Sequence, residues 1–224
     1  MLRKSHLVIV FALTVLILAY QQGEGRHYVH LRIFYESLCS DSKNFINEQV
    51  LPAVLLLNRY MDIDFIPFGK CNRIRNTTQL ICQHGPKECL GNKVQACALE
   101  LMKTRADDIR VVKYVSCELT TKASTRNDLT CVRKAGVNER IVQACLENED
   151  GDYLMRRHER STKLLNPTFI PTITFDGVFD KEVQELSLLN LIRTVCSYFD
   201  YSVKQCKVRL KSYQERQMQL SSDS

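Results

Sequence analysis

At 224 residues, with 45% hydrophobic, 25% charged and 8% aromatic side chains, the chain has the make-up of an ordinary globular protein. That excludes a disordered, collagenous or multispan membrane protein. The formal charge of +6 is too mild for electrostatic capture of nucleic acid to be the leading reading, so no nucleic-acid partner is expected. Ten cysteines and no tryptophan are the outlier: a chain this long can build a core without disulfides, so the cysteines need another explanation.

Arg3 and Lys4 precede the apolar run Leu7 to Ala19, followed by Gln21-Gln22-Gly23-Glu24-Gly25. A basic head, a short apolar run and small residues near a cut site predict a secretory signal peptide over 1–25. The run is shorter than the ~17–25 residues of a spanning helix. No second run of that length follows, so no membrane span is expected after cleavage. All ten cysteines lie beyond residue 25, and in an oxidising secretory route most should be bridged. Zinc is the weaker reading, because no Cys-x-x-Cys occurs and the spacing around Cys82, Cys89 and Cys97 fits neither a finger nor a ribbon; no metal site is expected. Asn76-Thr77-Thr78 is an acceptor for an N-linked glycan in an exposed loop.

Val29 to Tyr35 alternates with period two and predicts a strand. It runs through Glu36-Ser37-Leu38-Cys39-Ser40-Asp41-Ser42 into a helical pattern carried by Phe45, Ile46, Val50, Val54 and Leu57, with Pro52 expected to kink it. Asp62 to Phe68 is a second alternating run, closed by Gly69, so the opening reads as a βαβ crossover joining parallel strands. From about 82 to 165 the pattern is mostly helical. Val94, Cys97, Ala98 and Leu101 share one face, as do Ile141, Val142, Cys145 and Leu146 behind a cap at Asn138. Ile109 to Val115 reads as helix, capped at Asp107, ahead of strand. The basic helix Asp152 to Leu165, with Arg156, Arg157, His158, Arg160 and Lys163, reads as a solvated face ahead of a phosphate-binding patch. Asp176-Gly177 between apolar runs signals a hairpin over 168–179. A last helix then buries Val183, Leu186, Leu189, Ile192, Val195 and Phe199, and residues 200–224 form a polar tail. This is the element order of an α/β thioredoxin-like domain: βαβ, helical insertion, β-hairpin, helix, with the domain over 26–199.

Cys82-Gln83-His84-Gly85-Pro86-Lys87-Glu88-Cys89, with Asn92 and Cys97, resembles the C-Q-H-G-x2-E-C-x2-N-x4-C motif of the gamma-interferon-inducible lysosomal thiol reductase family. The likeness extends from about His30 to Cys206. It implies a thioredoxin-like fold and reduction of protein disulfides by a secreted or lysosomal protein. Disulfide-bonded proteins would be its substrates, and glutathione or cysteine the small-thiol reductant, with no bound cofactor. The same resemblance makes Pro171, after Ile170, a cis-proline facing the active cysteine.

The chain departs from the family where the chemistry sits. Where the family resembles thioredoxin with Cys-x-x-Cys, this sequence has Cys39-Ser40-Asp41-Ser42. Cys39 keeps the attacking position at a helix N-terminus, which favours a thiolate, while Asp41 sets a negative charge against it. Ser42 can hydrogen-bond the sulfur but cannot resolve a mixed disulfide. Three outcomes stay open: Cys39 works as a monothiol with a small thiol resolving, another cysteine substitutes, or the protein binds partners without turnover. Cys71, just past the second strand, is the candidate resolving residue, and pairing it with Cys39 would leave eight cysteines for four bridges. Within the motif, Cys82, Gln83, Gly85, Glu88, Cys89, Asn92 and Cys97 are expected to be structural, and His84 a local hydrogen-bonding element.

Overall fold

The computed structural model describes residues 28–102, 108–199 and 202–207. The expected signal peptide over 1–25, the expected cap at Asp107 and most of the expected tail lie outside them. The central strand is β1 (Val29–Tyr35), buried at Val29, Leu31, Ile33 and Tyr35 as the alternation requires. It pairs in parallel with β2 (Met61–Pro67), Leu31 opposite Ile63 and Tyr35 opposite Pro67.

The crossover between these strands begins with α1 (Ser40–Phe45), passes through a π-helical turn (Ile46–Val50) and continues as α2 (Leu51–Leu57). Pro52 explains the irregularity: it has no N–H to donate and its ring crowds the carbonyl four residues back, so the turn before it widens.

After β2 the chain forms a short antiparallel ribbon, β3 (Asn72–Arg73) with β4 (Leu80–Ile81). The helical insertion follows: α3 (Pro86–Leu101), α4 (Asp108–Thr121), α5 (Thr130–Lys134), α6 (Glu139–Glu147) and α7 (Glu149–Leu165). Ile109 to Val115 is thus helical. The Asn138 side chain accepts from Arg140 N at 3.0 Å as an N-cap, and Asn148 caps α7 in the same way. Leu101 and Ile141, expected inside, are exposed: Val142 is the buried residue of α6, and the Cys97–Cys145 bridge fixes which side of it meets α3. The basic helix is less of a solvated face than its composition suggests. His158 is buried, Arg157 pairs with Glu100, and Lys163 pairs with Glu159, which also holds Arg73.

Strand β5 (Thr172–Phe175) pairs antiparallel with the other edge of β1, giving the order β2-β1-β5. Asp176 and Gly177 both take positive φ, the two-residue turn that Asp-Gly favours. The expected second hairpin strand is only a single bridge, Phe175 to Val178, because Asp180 already caps the next helix through Val183 N.

That helix, α8 (Lys181–Ser197), buries a different face from the one expected. Gln184, Ser187, Leu191, Thr194 and Val195 point inward, whereas Leu186 and Leu189 are exposed. Asn190 has non-helical φ/ψ, so the halves on either side of it do not share one helical phase.

Eight cysteines form four bridges: Cys82–Cys89, Cys97–Cys145, Cys117–Cys131 and Cys196–Cys206. Three staple the insertion and one ties α8 to the segment after it. Cys97–Cys145 closes a separation of 48 residues, worth about 4 kcal/mol on a chain-entropy account. Among the described residues, no helix is long and apolar enough to cross a membrane.

Candidate thiol site at the end of the central strand

Cys39 and Cys71 are the two cysteines left free. Cys39 is the N-cap of α1, in extended conformation (φ −68°, ψ 121°), half-buried, four residues beyond the last paired residue of β1. Its backbone N–H donates to Glu36 O at 3.3 Å and its carbonyl accepts from Lys43 N at 3.1 Å, so both strand end and helix start hold it. The sulfur accepts from the Ser42 backbone N–H at 3.4 Å, the contact a capping residue makes with its helix. The Ser42 side chain does not supply it: that hydroxyl is buried and has no hydrogen-bond partner among the described residues.

Opposite the sulfur is the loop before β5. The Ile170 carbonyl lies 3.9 Å from Cys39 Sγ, and the Ile170–Pro171 peptide bond is cis. Gln184 anchors this loop from α8, its amide nitrogen donating to Pro171 O at 3.1 Å and its amide oxygen accepting from Ile173 N at 2.8 Å. Gln184 was missed in the sequence because the apolar pattern of α8 turned it outward. Its only signal there is a long polar side chain four residues after the cap Asp180. Phe169 and Phe179, ring centroids 6.2 Å apart, and Val178 form exposed apolar surface beside the same loop.

The motif residues gather at a second place. Glu36 and Glu88 are both fully buried carboxylates. Glu36 accepts from Lys70 N at 2.6 Å, and the Gln83 amide, assigned with its nitrogen toward the acid to satisfy both groups, donates to both its oxygens. Glu88 accepts from His84 N at 3.0 Å and meets His84 Nδ1 at 2.5 Å. The His84 hydrogen bonds are thus local ones to Glu88, and the loop Gln83-His84 is pinned over two acids. Burial, followed by the neighbouring Glu88 charge, outweighs the Lys70 hydrogen bond and the His84 charge, and raises the Glu36 carboxyl from 4.5 to about 7. Glu36 carried no signal in the sequence beyond standing before Cys39.

Cys71 belongs to this second place. Its Sγ accepts from Asn92 Nδ2 at 3.4 Å, while Asn92 Oδ1 accepts from Ser37 N at 2.9 Å. The thiol is pushed well up by burial and by the Glu36 and Glu88 charges. Ligand atoms of Glu36, Cys71 and Glu88 lie within 4.8 Å of one another, but donors already occupy the carboxylates. Cys97 is bridged away from this cluster to α6, and Gly85 (φ 85°) starts α3. Asn76 is exposed in the loop joining β3 to β4, with φ 61°.

A mixed α/β sheet with a cysteine capping the first helix and a cis-proline against its sulfur defines the class: a thioredoxin-like thiol oxidoreductase fold. Crystalline DsbA from Chlamydia trachomatis aligns with a TM-score of 0.51 at 13% identity, over 78% of this chain and 88% of that one, a likeness of fold alone. The profile of the family described as gamma interferon inducible lysosomal thiol reductase matches residues 30–135. GILT-like protein 1 of Drosophila melanogaster is 35% identical over 194 residues, covering 76% of this chain and 74% of that protein. The gamma-interferon-inducible lysosomal thiol reductase of Carassius auratus is 26% identical over 177 residues, covering 76% and 68%. The chain belongs to the gamma interferon inducible lysosomal thiol reductase family.

Proposed function

We propose that the protein reduces disulfides of protein substrates through Cys39 acting as a monothiol. The observation that carries this reading is the Cys39 sulfur, half-buried at a helix start and 3.9 Å from the Ile170 carbonyl beside Pro171, with a serine where a resolving thiol would stand. The Cys39 thiolate attacks a substrate disulfide, forming a mixed disulfide and releasing one substrate sulfur as a thiolate. A small thiol such as glutathione or cysteine then attacks the Cys39 sulfur, and the substrate leaves with both sulfurs reduced. A second small thiol frees Cys39, and the small disulfide departs with the two electrons' worth of oxidation. No resident cofactor enters this cycle. The apolar surface of Phe169, Val178 and Phe179 suits an extended polypeptide lying across Pro171. The signal segment, the glycan acceptor at Asn76 and the family favour a secreted or lysosomal setting.

A second reading replaces the small thiol with Cys71, which Asn92 links to Ser37, two residues before Cys39. Turnover of a disulfide-bonded protein is to be measured at acidic and neutral pH, with and without glutathione. Monothiol chemistry predicts glutathione-dependent turnover that falls to background in Cys39→Ser. Activity surviving that substitution rejects Cys39, and glutathione-independent turnover abolished by Cys71→Ser selects the second reading. Capture of substrates on Cys39 with no turnover under any condition points instead to a redox-impaired binding protein.

A further inference from the structure

The β3–β4 register pairs Asn72 with Ile81 and Arg73 with Leu80, so Cys71 and Cys82 are the next residues facing each other across the ribbon. Facing residues of an antiparallel pair stand about 4.5–5.5 Å apart at Cα, within the range a disulfide spans. Cys71 Sγ lies within 4.8 Å of both Cys82 Sγ and Cys89 Sγ, yet the bridge joins Cys82 to Cys89 and leaves Cys71 as the thiol. A free thiol in contact with a disulfide has a chemical consequence: thiol–disulfide exchange conserves the bond count and needs no outside oxidant.

We propose that Cys71, Cys82 and Cys89 form a second thiol–disulfide exchange site, in which the bridge moves from Cys82–Cys89 to Cys71–Cys82 and the free thiol moves from Cys71 to Cys89. Cys71 Sγ gives up its proton and bonds Cys82 Sγ. The Cys82–Cys89 bond breaks, its electron pair leaves with Cys89, and Cys89 takes a proton, so nothing is oxidised or reduced overall. A carboxylate oxygen of Glu36 or Glu88 stands within 4.8 Å of Cys71 Sγ to accept the departing proton.

The direction follows from the surroundings. Cys89 lies in the first turn of the 16-residue helix α3, where the helix dipole favours negative charge, so it is the better leaving sulfur. Cys82 is buried and central to both bridges, whereas Cys89 is half-buried. Burial and the neighbouring acids hold Cys71 in its thiol form, which makes the exchange slow, and the Cys82–Cys89 isomer is the one the structure holds. The effect is to convert a concealed thiol into a reachable one, open to small disulfides or electrophiles. This site does not depend on Cys39.

The test uses the full secreted chain in a Cys39→Ser background, alkylated with iodoacetamide under native conditions and mapped by peptide mass spectrometry over time. Slow labelling of Cys89 is expected to rise together with a Cys71–Cys82 bridge, and adding Cys71→Ser should reduce Cys89 labelling at least tenfold. In Cys89→Ser, the Cys71–Cys82 bridge should form outright. Two free thiols at 71 and 82 in folded Cys89→Ser, or Cys89 labelling that persists without Cys71, overturns the proposal. A Cys39–Cys71 bridge in the wild-type chain also overturns it and supports Cys71 as resolving residue. Should Cys89→Ser fail to fold, the labelling series alone decides.

Discussion

Cys39 and Cys71 occupy matching positions and have opposite surroundings. Tyr35 and Pro67 are register partners at the ends of the parallel strands, and each cysteine follows its strand end by four residues. After Cys39 the chain turns into a helix, so the Ser42 amide points at a half-buried sulfur beside the Pro171 loop. After Cys71 it turns into a two-residue ribbon, which lays the sulfur against carboxylates and a disulfide. Offset from the sheet alone therefore does not make a cysteine reactive. The element that follows decides whether the sulfur meets an N–H dipole, as at Cys39, or negative charge, which pushes the Cys71 thiol up.

Asn92 bridges the two places, and removing it should have the largest effect. Asn92→Leu leaves the buried Ser37 N–H without its acceptor, so a loss of about 2–3 kcal/mol is expected from denaturant titration, together with faster alkylation of Cys71. A stability change below 0.5 kcal/mol would show that the two sulfur sites are held independently.

Glu36 tests the carboxylate side. Its folded value of about 7 exceeds the ordinary 4.5, so the folded state binds the proton more tightly. The stability this contributes is fully present below pH 4.5 and is lost as pH rises to about 7, on the order of 2 kcal/mol. The groups facing Glu36 are Glu88, His84, Gln83 and Lys70, so the measurement compares wild type with Glu36→Gln across that window. The variant should flatten the slope; an unchanged slope assigns it to another group.

Ser42 tests the Cys39 side from within. Ser42→Cys should restore a resolving thiol and lower the dependence of turnover on glutathione by about tenfold. Ser42→Ala is expected to do least, within about twofold in rate and 0.5 kcal/mol in stability, because the contact to Cys39 runs through the backbone. A large loss in Ser42→Ala would return the hydroxyl to the chemistry.

Much of this was readable from the chain. Seven-residue strands with alternating burial show their period, and Cys39 at a strand-to-helix junction is a local event, so both could be placed. The longer insertion helices could also be read, since each is long enough to repeat, whereas the five residues of α5 are not. The ribbon β3–β4 could not: two residues per strand contain no period, so nothing announced that Cys71 faces Cys82. The inward face of α8 was misjudged because Gln184 and Ser187 are buried for their hydrogen bonds, against the apolar rule, and Asn190 breaks the phase. Glu36 was silent for a related reason. A carboxylate beside a turn looks solvated until the loop of Gln83 and His84, nearly fifty residues later, is folded over it.

The pairing of β1 with β5 has a consequence for how the site comes into being. Cys39 leaves the ribosome early, but the wall facing it, Ile170–Pro171, is held by Gln184 on α8. Everything between must be made before that wall can close. During synthesis the Cys39 sulfur is therefore present long before the loop that will face it, and the four native bridges form in a chain that already carries that thiol uncovered.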